Sequence, residues 1–365
     1  MALLSRKKLF PHTREYLTKH KRRISPALFF SGFVFDLFTL NRVDTLFDNF
    51  ILLGHLVVIT LSIIFIHLGK RDQVFSSFTE RLILFAPFTL VFSFGGVLSG
   101  FVIFYTKSAS IFSNWPFLLI LYVLFISSEI LFSKYQQTMF QVGMWFAATL
   151  SFTIFFIPVI TKNVGPWTFL LSNIISVFVG WIFIHMLIKA YEPIRRRLAM
   201  VKTMFVMISL AFIAAYFLNI IPPIPLSMNE SGIYHLVSRD AAGTLTARAE
   251  PRGFFEKFLP ETDISITPGS QVYGYTAVFS PAGINTTLQH VWEYKDTGGR
   301  WKEFSRSTFA VNGGRLGGFR WYSFVSPFEG EWRIRTLSIY GQEIGQTPFT
   351  VTFVNQVPPL ELIEL

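Results

Sequence analysis

The sequence predicts a membrane α-helical bundle of about seven transmembrane helices, followed by a C-terminal all-β antiparallel sandwich. Three observations predict it. Hydrophobic residues make up 51% of the 365, charged residues only 15%, and 43 residues are Phe, a balance typical of membrane proteins. Long apolar runs fill the chain up to residue 221 and then stop. Beyond that point apolar and polar residues alternate with the period of two that a half-buried strand needs.

The apolar runs lie at roughly 26–40, 50–68, 82–105, 115–132, 139–160, 167–188 and 203–221. Most reach the ~18–20 residues that a helix needs to cross ~30 Å of hydrocarbon. The first run is short and contains Asp36, so it either spans by continuing toward Asp44 or is re-entrant. Charge placement favours spanning. With seven crossings and the N-terminus inside, the inner segments 1–25, 69–81, 133–138 and 189–202 hold 17 Lys and Arg. The outer loops hold only Arg42, Lys107 and Lys162. If the first run does not span, "KAYEPIRRRLAMVK" falls outside, against the positive-inside bias. The basic opening "SRKKLFPHTREYLTKHKRR" is too long, and lacks the small-residue site, for a cleaved signal peptide. Trp115 and Trp167 at outer ends and Trp145 near an inner end fit interfacial anchors.

Five parts follow: a basic cytoplasmic segment 1–25, a helical domain 26–221, a proline-containing linker 222–231, an extracytoplasmic β domain 232–355 and a tail 356–365. In the linker "NIIPPIPLS", Pro222 and Pro223 stop the last helix by removing donors and clashing with the preceding turn. In "TLQHVWEY", Leu288, His290, Trp292 and Tyr294 share a face; in "GFRWYSFV", Phe319, Trp321, Ser323 and Val325 do. Turn signals such as "PAG", "DTGG", "NGG" and "PFEG" separate seven or eight such runs, as a sandwich requires. Net charge divides along the same boundary. Residues 1–227 carry 20 Lys and Arg against 8 Asp and Glu, whereas 228–365 carry 12 against 14. The basic excess therefore flanks hydrophobic runs and marks topology, not nucleic acid. Without cysteine, disulfides and Cys-ligated metals are excluded.

The order "IPPIPL", "GIYHLV", "HVWEYK", "GGRLGGFRWYSF", "GEWRIRTLS" and "TPFTV" resembles bacterial membrane proteins carrying the domain of unknown function 2914. The resemblance covers about 230–355. It implies a C-terminal β module after several membrane helices and a place in the bacterial envelope. It brings no activity and no functional residues.

The glycine-rich "GGRLGGFRWYSFVSPFEGEWRI" does not match a phosphate loop, because Gly318 is followed by Phe319 and Arg320 and by a strand. The pattern fits turns and bulges in which Gly313, Gly314, Gly317, Gly318 and Gly330 supply positive φ. The alternative is a shallow polar site, in which Arg315 and Arg320 bind carboxylate or phosphate beside exposed Trp292, Trp301 or Trp321. His290, between Leu288 and Trp292 on one face, fits a hydrogen-bonded core residue. Glu256, Glu261 and Asp263 lie in one acidic loop with no sign of the paired geometry that a glycosidase needs. No Ser/His/Asp order, metal-ligand spacing or nucleophile elbow occurs, so neither a cofactor nor a metal is expected. Asn229 and Asn285 match the glycosylation sequon, which carries no weight in a bacterial chain.

Within the apolar half the titratable suspects are Asp36 and His55 near outer helix ends, and His67, Glu129 and His185 near inner ends. "GGVLSG" contains Gly96 and Gly100 at the spacing that permits close helix packing. The reading is an inner-membrane protein whose outward β domain binds an envelope glycan, a lipid headgroup or a membrane protein partner. The rivals are a small-solute or proton transporter, whose titratable groups would line a path, and an envelope-modifying enzyme near Asp44 and Asp48.

Overall fold

The computed structural model describes residues 31, 33–36, 38, 40, 45–71, 73, 75–127, 137–239, 244–251, 262–315 and 317–365. The chain divides into two compact units. The first contains Met1–Thr106, Phe117–Ile157 and Pro166–Ala215; the second contains Lys107–Pro116, Pro158–Gly165 and Tyr216–Leu365.

The helices are α1 (31–38, helical wherever described), α2 (Leu46–Leu68), α3 (Ser77–Ser108), α4 (Ile111–Ser127), α5 (Thr138–Thr161), α6 (Pro166–Ala190) and α7 (Leu198–Phe217). A 3₁₀ turn, Glu192–Arg197, precedes α7. Five stretches among the described residues are long and apolar enough to cross a membrane: Phe47–Leu68, Ser77–Ser108, Thr138–Thr161, Pro166–Ala190 and Glu192–Phe217. Thr45 caps α2, its hydroxyl accepting the Asp48 amide at 3.3 Å, so one orphan donor of the first turn is satisfied.

Helices α2 and α3 run antiparallel in steady register. A Cβ on Gly100 would meet Leu52, one on Gly96 would meet His55, and one on Gly69 would meet Ile83. Ser62 and Thr89 hydrogen-bond at 2.9 Å between the last two of these pairs. Gly96 and Gly100 thus leave room on α3 for the His55 and Leu52 side chains of α2. At the far end of this pair the Arg71 guanidinium donates to the Lys189 carbonyl, which joins the ends of α2 and α6.

Two sequence expectations change here. Helix α7 ends at Phe217, before the prolines, and the chain turns out of it through Asn219 at φ 56, the left-handed exit common at helix ends. Trp145 is not an interfacial anchor. Its ring is 2% exposed, stacks on Phe183 at 3.9 Å and donates its indole N–H to Thr60. Trp115 and Trp167 are exposed.

Among its described residues the second unit holds eleven strands, more than the seven or eight that the alternation suggested. They are β1 (Ser227–Tyr234), β2 (Leu236–Arg239), β3 (Leu245–Ala249), β4 (Thr262–Ile266), β5 (Val272–Phe279) and β6 (Asn285–Lys295). Then come β7 (Trp301–Asn312), β8 (Phe319–Val325), β9 (Gly330–Ser338), β10 (Glu343–Phe353) and β11 (Glu361–Glu364). The extra strands are short ones that pair at the edges, and β11 turns the expected tail into a strand bound to β3.

Three sheets result, ordered β1-β5-β8, β4-β10-β9-β6-β7 and β11-β3-β2. All pairings are antiparallel except β4 with β10. Alternation assigns the two faces of β5 to different cores. Val272 joins Ile233, Trp292, Val325, Trp332, Ile334 and Phe349, so the β1-β5-β8 sheet packs on the five-stranded sheet. Tyr275 and Ala277 point the other way and pack with Val237, Leu245 and Ala247 of the third sheet. The β1-β5-β8 sheet is thus covered on both faces, which explains why β5 is buried almost throughout.

Two connecting segments belong to this unit. Ser110 donates to Glu343 of β10 at 2.5 Å, and the Asn114 amide reaches the carbonyls of Asn219 and Ile220. Lys162 donates to the Ala282 carbonyl at 3.0 Å.

The glycine-rich stretch serves the backbone in two different ways. Gly314, Gly318 and Gly330 have φ of 102, 86 and 137 degrees. Gly313 is needed for space, since a Cβ there would lie 1.9 Å from the Pro281 carbonyl oxygen. Gly317 has neither constraint. Gly313→Ala is therefore expected to destabilise the β unit by about 2 kcal/mol or more, within the range for forced backbone shifts. Gly317→Ala should stay within about 0.5 kcal/mol of wild type in the same thermal melt. Equal melting of the two variants would remove the steric account.

Candidate functional site

Strand alternation sends Phe319, Trp321, Ser323 and Val325 of β8 toward the five-stranded sheet and turns Arg320 to the opposite side. There Arg320 sits opposite Ala277 of β5, beside the third sheet. Arg239 ends β2 opposite Leu245 of β3. The loop before β8 brings Arg315, whose guanidinium lies 5.4 Å from the Phe319 ring centroid. Together Arg239, Arg315 and Arg320 line an open pocket of about 240 Å³ with Leu245, Gly317 and Gly318. Among the described residues, no carboxylate forms an ion pair with any of the three. Residues 240–243 and 316, which flank the pocket in sequence, lie outside the described set. Nearby, burial first and Glu230 second push the Tyr275 phenol up to about 12, so it remains protonated.

The structure brings Arg315 and Arg320 together and adds Arg239. It does not bring the tryptophans to them. Trp292 is 1% exposed in the core, so it offers no face to a ligand, contrary to the expectation of an exposed ring. Trp321 stacks on Phe309 at 5.1 Å and 9°, on the face of β8 opposite Arg320. Trp301 lies at the start of β7, where the Arg333 guanidinium covers its ring at 4.3 Å. Of the acidic loop only Asp263 is described, exposed on β4; Glu256 and Glu261 lie outside the described residues.

His290 is a core residue. It is fully buried, with Nε2 2.7 Å from the Thr276 hydroxyl and Nδ1 2.9 Å from the Ser323 hydroxyl. The Trp292 indole donates to the same Ser323 oxygen at 2.9 Å. Burial pulls the imidazole down to about 3, so it is neutral at any ordinary pH.

The outer face of the five-stranded sheet carries an ion-pair ladder that sequence reasoning missed. Arg333 meets Glu293 at 2.5 Å, Arg335 meets Glu293 at 3.3 Å and Glu343 at 2.8 Å, and Ser110 donates to Glu343. The available signal was period two in "EWRIR": Trp332 and Ile334 face the core, so Arg333 and Arg335 must share the other face, opposite Glu293. Every charge in this ladder has a partner, so it fits strand registration better than ligand capture.

In the helical unit Asp36 is fully buried, accepts from Ser99 and lies 3.7 Å from His55 Nε2. His67 is buried between the Ile63 carbonyl and the Thr138 hydroxyl, each at 2.8 Å. His185 is exposed, 2.8 Å from the Trp181 carbonyl. Asp48 is buried in the first turn of α2. Glu129 and Asp44 lie outside the described residues.

Apolar helices able to cross a membrane, followed by a β region with a basic pocket, define a two-part membrane-associated chain. Residues 285–351, from β6 into β10, match the model of the DUF2914 family, described as a protein of unknown function. The match spans "HVWEYK", "GGRLGGFRWYSF" and "GEWRIRTLS", in line with the resemblance read from the sequence. No curated protein matches. Three solved chains match, among them the Pseudomonas fluorescens alkylpurine DNA glycosylase AlkC bound to DNA containing an abasic site analog, over 85% of this chain and 99% of its own. Its identity is 9% and its TM-score 0.21, which supports no argument about fold or function.

The His290 environment gives a signed pH effect. The unfolded imidazole titrates near 6.5 and the folded one near 3, so between these values the unfolded state binds more protons. Stability should fall on acidification through that window, by at most about 1.4 kcal/mol per pH unit from this residue. His290→Gln should flatten the stability difference between pH 7 and pH 5 measured by chemical denaturation. An unchanged slope would show that His290 charges freely in the folded state.

Proposed function

We propose that this is a seven-span protein of the bacterial inner membrane whose extracytoplasmic β region captures an anionic ligand. The ligand group is a phosphate or carboxylate, presented by an envelope glycan or a lipid headgroup. The observation that carries the reading is the convergence of Arg239, Arg315 and Arg320 on one open pocket. Guanidinium groups present planar forks that match both anions, and three of them, with no carboxylate paired to them among the described residues, favour occupation by negative charge. A pocket of about 240 Å³ suits one charged head group, being smaller than the usual ~300–1,000 Å³ ligand cavities.

Charge supports the proposed topology: Lys70, Arg71, Lys189 and the Arg195–Arg197 run lie in segments that seven crossings with the N-terminus inside would leave on the cytoplasmic side. Two of these segments meet, since Arg71 donates to the Lys189 carbonyl between the ends of α2 and α6. A reporter fused after Leu365 is expected to signal from outside the cytoplasm; a cytoplasmic signal would overturn the seven-span topology.

The binding test uses the full chain in lipid nanodiscs, titrated with inorganic phosphate, glycerol 3-phosphate and glucuronic acid. Each charge-assisted contact is worth about 1.5–3 kcal/mol, so Arg320→Gln or Arg315→Gln should weaken binding about tenfold or more. Added salt should weaken it further, because the pocket is open to solvent. Preference for glycerol 3-phosphate would indicate a lipid headgroup, and preference for glucuronic acid an acidic glycan. Binding that the arginine variants leave unchanged would sink the proposal.

A further inference from the structure

We propose that Asp36, His55 and Ser99 form a buried proton-binding site between α1, α2 and α3. The inference is independent of the basic pocket and rests only on α2 and α3 crossing the membrane.

The depth is the first argument. His55 is nine residues past Leu46, and Ser99 is nine residues before Ser108, at the neighbouring end of the antiparallel partner. At 1.5 Å per residue each lies about 13 Å along its helix, close to half of a ~30 Å hydrocarbon core. Sequence reasoning had assigned Asp36 and His55 to helix ends, within reach of water. In the structure α2 and α3 extend beyond the apolar runs 50–68 and 82–105, so His55 and Ser99 lie farther from the helix ends than those runs implied.

The second argument is how the site is built. Asp36 is fully buried, and one carboxyl oxygen accepts the Ser99 hydroxyl. Its other oxygen, Oδ1, has no hydrogen-bond partner and faces His55 Nε2 at 3.7 Å. Gly96 makes the room, since a Cβ there would lie 2.6 Å from that same Nε2. Phe92 closes the other side of the imidazole, with ring centroids 5.7 Å apart. The "GGVLSG" motif therefore supplies both the space for His55 and the hydroxyl for Asp36.

The third argument is charge balance. Among the described residues, His55 is the one titratable group within 4 Å of Asp36. Elsewhere on α2, Asp48 is in the first turn and His67 in the last. On α3, Glu80 and Arg81 are in the first turn and Lys107 in the last. On α6, which also packs on α2, His185 and Lys189 lie in the last two turns. An unbalanced charge at this depth is costly, so the pair is held at net zero, which requires one shared proton. That proton sits on Asp36 Oδ1 beside a neutral imidazole, or on His55 Nε2 beside a carboxylate. Transfer breaks the Oδ1–H bond and forms the Nε2–H bond without changing the net charge. At 3.7 Å the two atoms are beyond hydrogen-bond reach, so transfer requires the side chains to close by about 0.7 Å, with Oδ1 free to accept the contact. Farther along α2, Ser62 with Thr89 and His67 with Thr138 continue the polar contacts toward its other end.

The test is infrared spectroscopy of the full chain in lipid bilayers across a pH titration. A protonated carboxyl C=O band is expected that Asp36→Asn removes. Ser99→Ala should shift that band to higher frequency by removing its hydrogen bond while keeping the fold. His55→Gln should strengthen that band at a fixed pH, because the imidazole that shares the proton is gone. The proposal is overturned if no band disappears in Asp36→Asn, or if His55→Gln leaves the band as intense as in wild type. A circular dichroism spectrum of each variant separates these outcomes from unfolding, and Ser99→Ala still tests the site should Asp36→Asn fail to fold.

Discussion

The Ser323 hydroxyl is the contact on which the β unit turns. It accepts the Trp292 indole N–H and meets His290 Nδ1, both 2.9 Å away, and so ties β8 to β6 of the facing sheet. A one-residue slip of β8 would exchange its two faces and bury Arg320 where Phe319 or Trp321 now sits. The buried polar cluster costs nothing in unmade bonds, because His290 also pairs with Thr276 and is held neutral by burial. It specifies register where apolar packing alone would tolerate error. The exposed arginine pocket is thus positioned by a buried contact on the opposite side of the same strand.

The same logic explains why the family-matched region reads as it does. "HVWEY" and "GEWRIR" are neighbouring strands in which Trp292 faces Ile334, Glu293 faces Arg333 and Tyr294 faces Trp332. One face contributes the core and the other the ion-pair ladder. Charges on this ladder are partly buried, so each is useful only while its partner stands opposite. The matched residues therefore record strand pairing first. The pocket arginines Arg315 and Arg320 lie within the matched span, while Arg239 lies outside it.

In the helical unit small and polar residues do the work that apolar bulk cannot do between helices in lipid. Ser62 with Thr89, Trp145 with Thr60 and Thr153 with Ser176 link helices through hydroxyl groups. Gly96 leaves the space that His55 fills beside Asp36, and Ser99, one turn along α3, donates to the same carboxylate. Packing and the titratable cluster thus share one cause, the missing side chains of the glycine motif.

Much of this was legible from residue order. Apolar length marked the helices, and period two separated the faces of β6, β8 and β9. Those signals are local, because the hydrophobic effect and strand geometry act on neighbouring residues. The short edge strands β2 and β11 were not legible, since four residues carry too little periodicity to rise above a loop. Arg239 could not be linked to Arg320, nor Ser99 to Asp36, because each pair meets through contacts between elements distant in sequence. The aromatic residues misled for the same reason: Trp292, Trp301 and Trp321 look alike in the chain, and only their sheet faces separate a core ring from a covered one. Composition and periodicity determined two parts and their class. Which polar groups converge, and at what depth, was decided by packing between distant segments, which no local pattern encodes.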